Sequence, residues 1–191
     1  FKTKNVTNMS LMFRCIGVTS LDINSWDVTK VNNFYGMFYG AANLLALNLS
    51  GWGGARTATG VDMSLMFQFT SSLTDLNLTN FKTTNVTNMY KMFYGVKLTN
   101  LDLSDWDVTK VTDFTYMFSS TSLTSLNVSG WGVGRTANNV KMAGMFNATS
   151  LTNLDMTNFQ TKNVTNMSNM FSQVGLTSLD LSDWDVTKVT T

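Results

Sequence analysis

The chain has 191 residues, of which 13 are basic and 12 acidic, giving a net charge of +1, and it contains no histidine, no proline and one cysteine. Charged residues make up only 13% of it, about half of the usual share, so it lacks the basic surface that nucleic-acid binding requires. This composition excludes a Ser-His-Asp triad, an internal disulfide and a thiolate zinc site, and no apolar run approaches the roughly 20 residues of a membrane-spanning helix.

Uncharged side chains supply most of the polarity, since Ser, Thr and Asn make up about a third of the chain. A surface of hydroxyl and amide groups is soluble but has little charge with which to repel its neighbours. We interpret this as typical of an extracellular or an assembly-forming protein. Apolar residues reach 43%, which is enough for a core and excludes a disordered tail.

An aromatic residue recurs along the whole chain at nearly regular intervals, which is typical of a repeat protein. From Trp26 onward, an apolar residue stands eight positions before each aromatic, and this interval never varies. We therefore predict that a rigid strand alternates with a loop of variable length. The aromatic positions are Phe1, Trp26, Trp52, Phe81, Trp106, Trp131, Phe159 and Trp184.

The segment 98–106 shows the composition of the predicted strand. Leu101 and Leu103 alternate with polar residues, which places the leucines on one face and the polar side chains on the other. One unit cannot bury its own leucines, so the units must stack. We predict seven parallel strands in one sheet, with Leu101, Leu126 and Leu154 side by side in the core.

The connecting segments have a different period. In segment 85–93, Asn-Val-Thr-Asn-Met-Tyr-Lys-Met-Phe, apolar residues recur at helical spacing, with a candidate N-cap before them and Gly95 after them. This predicts one or two turns of α-helix or 3₁₀ helix in each coil. A Met-Phe pair ends the segment in every coil, and we predict that these pairs and the aromatic column fill the interior.

Three types of coil alternate along the chain. One begins Trp-Asp-Val-Thr-Lys-Val, one begins with Phe and continues to Asn-Val-Thr-Asn-Met, and one carries a longer glycine-containing loop. The order of the three types repeats, so that Phe1, Phe81 and Phe159 begin equivalent coils, and we call this longer repeat the superperiod. We expect residues 1–191 to form a single repeat domain that is a fragment of a longer array.

The frame Leu98-x-x-Leu101-x-Leu103 resembles the leucine-rich repeat signature. Together with the Met-Phe endings and the Asn-Val-Thr-Asn-Met strings, it is similar to the BspA-like leucine-rich repeat surface proteins. The resemblance implies a leucine-rich-repeat-like α/β solenoid of about seven coils of ~25 residues, on a secreted or cell-surface protein that is often adhesive. The family's asparagine position holds Trp or Phe in this chain, so we expect Ser, Thr or Asp to bond the loop backbones instead.

A column of polar residues between the two core positions of each strand is the candidate binding surface for protein or glycan. The alternative is a solvated ladder that only stabilises the stack. The column consists of Asp22, Asn48, Asn77, Asp102, Asn127, Asp155 and Asp180.

The longer loops carry Arg56 and Arg135, which we predict to be possible lateral contacts. Aspartates follow the strands near Trp106 and Trp184, but without the spacing of an EF-hand, so we predict neither a metal site nor a cofactor.

We predict a non-catalytic, extracellular or cell-surface recognition or adhesion protein that binds protein or glycan through its strand face, because the repeat contains no convergent catalytic residues. The alternative is a structural repeat module, such as a spacer, filament, shell or virion subunit, that associates with its own copies through its ends and long loops. A weaker alternative is binding to ice or a mineral surface through the Thr-rich ladders. We expect no nucleic-acid partner and no direct membrane insertion of this segment.

Overall fold

The computed structural model describes residues 2–191, which form a parallel β-solenoid of about six turns. Phe1, the first aromatic of the predicted column, lies outside the described residues. The predicted stacking of coils is confirmed, but the predicted helix or 3₁₀ turn in each coil is wrong, because residues 2–191 contain strands and turns and no helix.

The strands are two or three residues long. They are β1 (Ser20–Asp22), β2 (Ala46–Asn48), β3 (Val61–Asp62), β4 (Asp75–Asn77), β5 (Val86–Asn88), β6 (Asn100–Asp102), β7 (Ser125–Asn127), β8 (Val140–Lys141), β9 (Asn153–Asp155) and β10 (Val164–Asn166).

The strand face consists of β1, β2, β4, β6, β7 and β9, which are six of the seven predicted strands. The seventh, predicted in segment 176–184, does not form. Leu101 pairs in register with Leu126, and Leu126 with Leu154, as the sequence predicts. The prediction of one continuous sheet is wrong, because the face is divided into two three-stranded sheets, β1-β2-β4 and β6-β7-β9.

A second sheet, which the sequence analysis missed, lies on another side of the solenoid and is called the bridge face. It contains β3, β5, β8 and β10, joined by single-residue bridges through Asn33 and Asp113. Hydrogen-bonded pairing is continuous here from residue 8 to residue 166. The Asn-Val-Thr-Asn string therefore forms a strand and does not begin a helix.

The turn face replaces the predicted helices with consecutive four-residue turns. It comprises residues 10–15, 35–40, 64–69, 90–95, 115–120, 143–148 and 168–173.

Hydrogen bonds of the turn face alternate between local and inter-coil partners. The N–H groups of Leu65 and Phe69 donate to the next coil, whereas that of Gln68 donates back to Leu65. Leu65 and Phe69 have φ of 59° and 60°, which breaks helical geometry. A helix is about 10 Å wide while stacked strands are about 4.8 Å apart, so a helix in every coil would force the coils apart on this side. Turns that donate to the next coil keep the coils at strand spacing on this side.

The interior contains the predicted aromatic residues and Met-Phe pairs. The phenylalanines of these pairs form one ladder, with neighbouring ring centroids 5.2 to 5.9 Å apart. Trp52 and Trp131 are 1% exposed and lie in the adjacent column. The predicted interior role of both columns is confirmed for the described residues except Met12, which is 43% exposed. The ladder consists of Phe13, Phe38, Phe67, Phe93, Phe118, Phe146 and Phe171.

Candidate functional site

The predicted binding column lies at the end of the six strands of the strand face and, for Asp180, at the equivalent position of the last coil, where no strand forms. Each residue of the column closes an Asx turn. The side-chain oxygen of each accepts a hydrogen bond of 2.9 to 3.2 Å from the backbone N–H two positions later. These residues are Asp22, Asn48, Asn77, Asp102, Asn127, Asp155 and Asp180. All seven therefore have a structural role at the corner of the coil, and their role in binding stays a prediction.

Hydrogen bonds at this corner also lower the pKa of two of its carboxyl groups. The backbone N–H and hydroxyl of Ser104 hold the pKa of Asp102 below its usual value, and Ser182 does the same for Asp180. Both side chains are therefore ionised over the whole neutral range.

The same Asx turn recurs at two further corners, which the sequence analysis did not single out. At the end of the bridge face, Asn33, Asn88 and Asp113 each accept an N–H at 2.8 to 3.0 Å. At the third corner, Asp107 accepts both the N–H and the hydroxyl of Thr109 at 3.0 and 2.7 Å. The expectation that Ser, Thr or Asp would bond the loop backbones is confirmed for Asp, but asparagines such as Asn33 and Asn88 form the same turns, which was not expected.

The side chains of a second polar column on the strand face form no Asx turn. Asn100, Ser125 and Asn153 stand in register across β6, β7 and β9. Asn100 and Asn153 are exposed, and the Asn153 amide approaches the Ser125 hydroxyl at 3.4 Å. A ligand can therefore contact these side chains without disrupting an Asx turn.

Arg56 and Arg135, predicted as possible lateral contacts, are buried in the interior and are each 8% exposed. The Arg56 guanidinium donates to the Val31 carbonyl at 3.0 Å and lies 5.3 Å from the centre of the Phe34 ring. Burial lowers the pKa of each arginine to about 10. The arginine side chains bind neighbouring coils of their own chain, so any lateral contact of these loops falls to other residues, such as Val133, which is 51% exposed.

Successive coils are joined on the strand face by what we call closed junctions. There, the N–H of Leu103 donates to the Asn127 carbonyl at 2.9 Å, and that of Val128 donates to Asp155 at 2.9 Å. The Trp131 indole N–H also crosses such a junction, to the Leu103 carbonyl at 2.9 Å.

Every third junction is open. Leu78 is equivalent to Leu103, but within residues 2–191 its N–H has no acceptor across the junction, and Trp106 forms no bond to the Leu78 carbonyl. Each Cα of β4 lies more than 8 Å from each Cα of β6. The junction after Met156, one superperiod later, likewise has no strand pairing within the described part of the chain.

Each open junction forms a cleft. The first cleft, of about 600 Å³, lies between segments 76–82 and 100–106. The second cleft, of about 1020 Å³, lies between segments 152–162 and 176–185. The coils stay joined at the base of the first cleft, where the rings of Phe81 and Trp106 stack with centroids 5.5 Å apart.

Leucines become accessible in the first cleft. Leu76 and Leu101 are half-buried, whereas Leu47 and Leu126, their equivalents in closed junctions, are only 3% and 1% exposed. The cleft thus combines an apolar wall with the polar rim of the strand face.

The turn face carries an aromatic patch that the repeat does not explain. It contains all five tyrosines of the chain together with Phe69, which is 42% exposed and contacts two tyrosine rings edge-on. The Lys91 ammonium lies 5.1 to 5.6 Å from the centres of three of these rings. A Cβ on Gly144 would overlap the Tyr116 ring, so glycine makes room for this patch. The tyrosines are Tyr35, Tyr39, Tyr90, Tyr94 and Tyr116.

Repeated positions alone do not reveal this patch, because the tyrosines depart from the repeat. The signal that could have found it is a departure from the repeat: all five tyrosines fall in the turn-face segments of three coils, and Phe69 lies in the coil between the first and second of these. Exposed Tyr and Phe with an adjacent cation are typical of binding surfaces.

Among residues 2–191, no group of three or more Cys, Asp or Glu side chains is arranged to hold a metal ion. The same residues include no helix long and apolar enough to cross a membrane.

Sequence comparison places the whole chain in one family. Overlapping matches at residues 1–73, 46–152 and 134–191 join it to the family described as "Mycoplasma protein of unknown function, DUF285". The chain belongs to this family. No curated protein and no solved structure matches it.

Proposed function

We propose that this member of the family is a non-catalytic recognition module that binds a protein through its strand face. The observation that carries the proposal is the combination on that face of in-register polar columns with clefts that expose leucines. Protein interfaces have this anatomy, an apolar centre surrounded by a polar rim. The resemblance to BspA-like leucine-rich repeat proteins supports an adhesive role and an extracellular or cell-surface location.

The test uses the polar column that has no structural task. The triple variant Asn100→Ala, Ser125→Ala, Asn153→Ala removes side chains of three strands and leaves every Asx turn in place. We expect the wild type to bind members of an array of purified secreted proteins saturably, and the variant to lose at least about tenfold in affinity, as truncation of central polar contacts does.

A matched control column stands two residues before the bridge-face valines. Thr59, Thr84 and Asn138 are exposed, and their side chains form no hydrogen bond within the described residues. Replacing these three with alanine should leave binding and melting temperature unchanged. Saturable binding that survives the strand-face variant, or no saturable binding to the array, would contradict the proposal.

Glycan binding is a second candidate, and the aromatic patch favours it. The exposed Phe69 ring and the half-buried tyrosine rings around Lys91 offer apolar faces with a hydroxyl or a cation at the edge. On an array of purified glycans, Phe69→Ser should abolish binding, while Val133→Ser, which removes an exposed apolar side chain elsewhere, should not.

The structural-module alternative predicts self-association that rises with concentration. Sedimentation velocity of the purified chain measures it. Since Arg56 and Arg135 are buried, the long-loop contribution is tested with Val133→Asp, which would dissociate an assembly held by these loops.

A further inference from the structure

The two walls of the first cleft are unpaired strand edges. β4 is paired on one side with β2, and β6 is paired on one side with β7, so within the described residues the facing edges of β4 and β6 have no partner. An exposed strand edge presents a row of N–H and C=O groups that can pair with another extended chain.

The facing edges of β4 and β6 are farther apart than two directly paired strands. Directly paired strands lie about 4.8 Å apart, so a strand inserted between two others holds them about 9.6 Å apart. The Cα atoms of β4 and β6 are separated by more than 8 Å, which excludes direct pairing. The cleft of about 600 Å³ between them is the space that an inserted chain would occupy.

The lining of the cleft selects the side chains of such a strand. Side chains of a strand alternate between its two faces, so every second residue of an inserted segment would point toward the base. There it would meet the half-buried Leu76, Leu78 and Leu101 above the stacked rings of Phe81 and Trp106. The base therefore favours apolar residues at alternate positions.

The rims of both clefts favour basic residues at the remaining positions. The chain as a whole carries a charge of +1, but the clefts contain six of its twelve acidic residues and only two of its basic ones. The charged residues that line the clefts are Asp102, Asp105 and Lys82 in the first, and Asp155, Asp180, Asp183, Asp185 and Lys162 in the second.

We propose that each open junction binds an extended peptide segment of a partner protein, with alternating apolar and basic residues, which adds as a strand between the two facing edges. This inference rests on the proposed recognition function and names the chemistry of its partner. Backbone hydrogen bonds supply affinity, and the leucines and aspartates supply specificity.

The probe is the heptapeptide acetyl-Lys-Val-Lys-Val-Lys-Val-Lys-amide, titrated onto the full chain and followed by amide hydrogen exchange. On saturation, the N–H of Leu78 in the first cleft and that of Met156 in the second should each become at least about tenfold more protected, because each gains an acceptor. Glu-Val and N-methylated versions of the peptide are the controls. The first reverses the charge, and the second keeps every side chain but removes alternate backbone donors, so each should bind at least about tenfold more weakly.

A pair of matched variants locates the site. Asp105 is exposed, lines the first cleft, and its side chain forms no hydrogen bond within the described residues. Asp105→Lys should abolish the added protection of Leu78 and leave that of Met156 unchanged. Asp75→Lys places the same charge change at an exposed residue of β4 that does not line the cleft, and should alter neither.

Two outcomes would overturn the inference. One is equal binding of the N-methylated peptide, which would show that backbone pairing contributes nothing. The other is absence of protection at Leu78 at saturating peptide. If either occurs while the strand-face triple variant still loses its array partner, strand addition is wrong and the recognition function stands. If the peptide protects Leu78 but the chain binds no protein of the array, strand addition stands and the proposed recognition function is wrong.

Discussion

The closed junction between β6 and β7 and the open junction between β4 and β6 are built from the same sequence pattern. Both place leucines at equivalent positions of successive coils, Leu101 and Leu126 in the closed junction, Leu76 and Leu101 in the open one. In the first case the strands pair in register, and in the second they stand more than 8 Å apart. A shared repeat therefore sets which residues face each other but not whether they touch.

The difference between closed and open junctions coincides with the backbone conformation of the turn that follows each strand. Asn80 and Gly130 take positive φ at the third position of that turn, whereas Asp105 does not. Turns with and without a positive φ there differ by a flip of the central peptide, so their carbonyl groups point in different directions. Gly51 donates to Thr79 across a closed junction between two positive-φ turns. The open junction has the positive-φ turn, at Asn80, in the earlier coil and the turn without it, at Asp105, in the later coil. The closed junction between β6 and β7 has the reverse order, with Asp105 before Gly130.

The largest effect is expected from truncating equivalent leucines. Leu126→Ala in the closed junction should lower the free energy of unfolding by about 3 kcal/mol, because it empties a fully buried site. Leu76→Ala should cost about 1 kcal/mol, because its side chain already lies beside an open cleft. Urea unfolding measures both, and equal costs would mean that the cleft is closed in solution.

Hydrogen exchange of the peptide-free chain sharpens the same comparison at the backbone. The N–H groups of Leu103 and Val128 are bonded across closed junctions, while those of Leu78 and Met156 are not. We expect the second pair to exchange at least about 100-fold faster, since a protected amide must wait for local opening. Similar rates at all four positions would contradict the open junctions.

A matched pair of tryptophans tests the hydrogen bond that an indole N–H donates across a closed junction. Trp131→Phe removes the hydrogen bond to the Leu103 carbonyl and should cost about 1 to 2 kcal/mol. Trp106→Phe removes no such bond and should cost less than about 1 kcal/mol, since Phe81 shows that the column accepts phenylalanine. Thermal unfolding of the two variants side by side is the measurement.

The smallest effect concerns pH at the rim of the first cleft. The pKa of Asp102 is lowered in the folded state by its bonds to Ser104, so the unfolded state binds more protons in acid. This stabilisation is present above the unfolded pKa, about 4, and is lost as pH falls through the lower folded value. Asp102→Asn keeps an acceptor that does not titrate, so its unfolding free energy should fall less between pH 5 and pH 2 than that of the wild type. Asp105→Asn, which removes a nearby carboxylate whose side chain forms no hydrogen bond within the described residues, serves as the control.

Much of the fold could be predicted because equivalent positions of a sequence repeat occupy equivalent places in the stacked coils. The alternation around Leu101 defines a strand with one buried face, and the invariant interval before Trp106 defines the coil. The helix was wrongly predicted at 85–93 because short apolar runs fit both periods, and stacking at strand spacing decided between them. The candidate site was harder to predict: the clefts depend on turn geometry, and the aromatic patch on residues that depart from the repeat.

Sequence alone determined that the coils stack, which leucines and aromatic rings fill the interior, and that polar residues line one side of the strands, because these follow from periodicity and from the need to bury apolar surface. Tertiary structure decided that turns replace helices, that Arg56 and Arg135 lie inside, and that every third junction opens. These features depend on how the backbone N–H and C=O groups of one coil meet those of the next, and that geometry exists only once the coils are assembled.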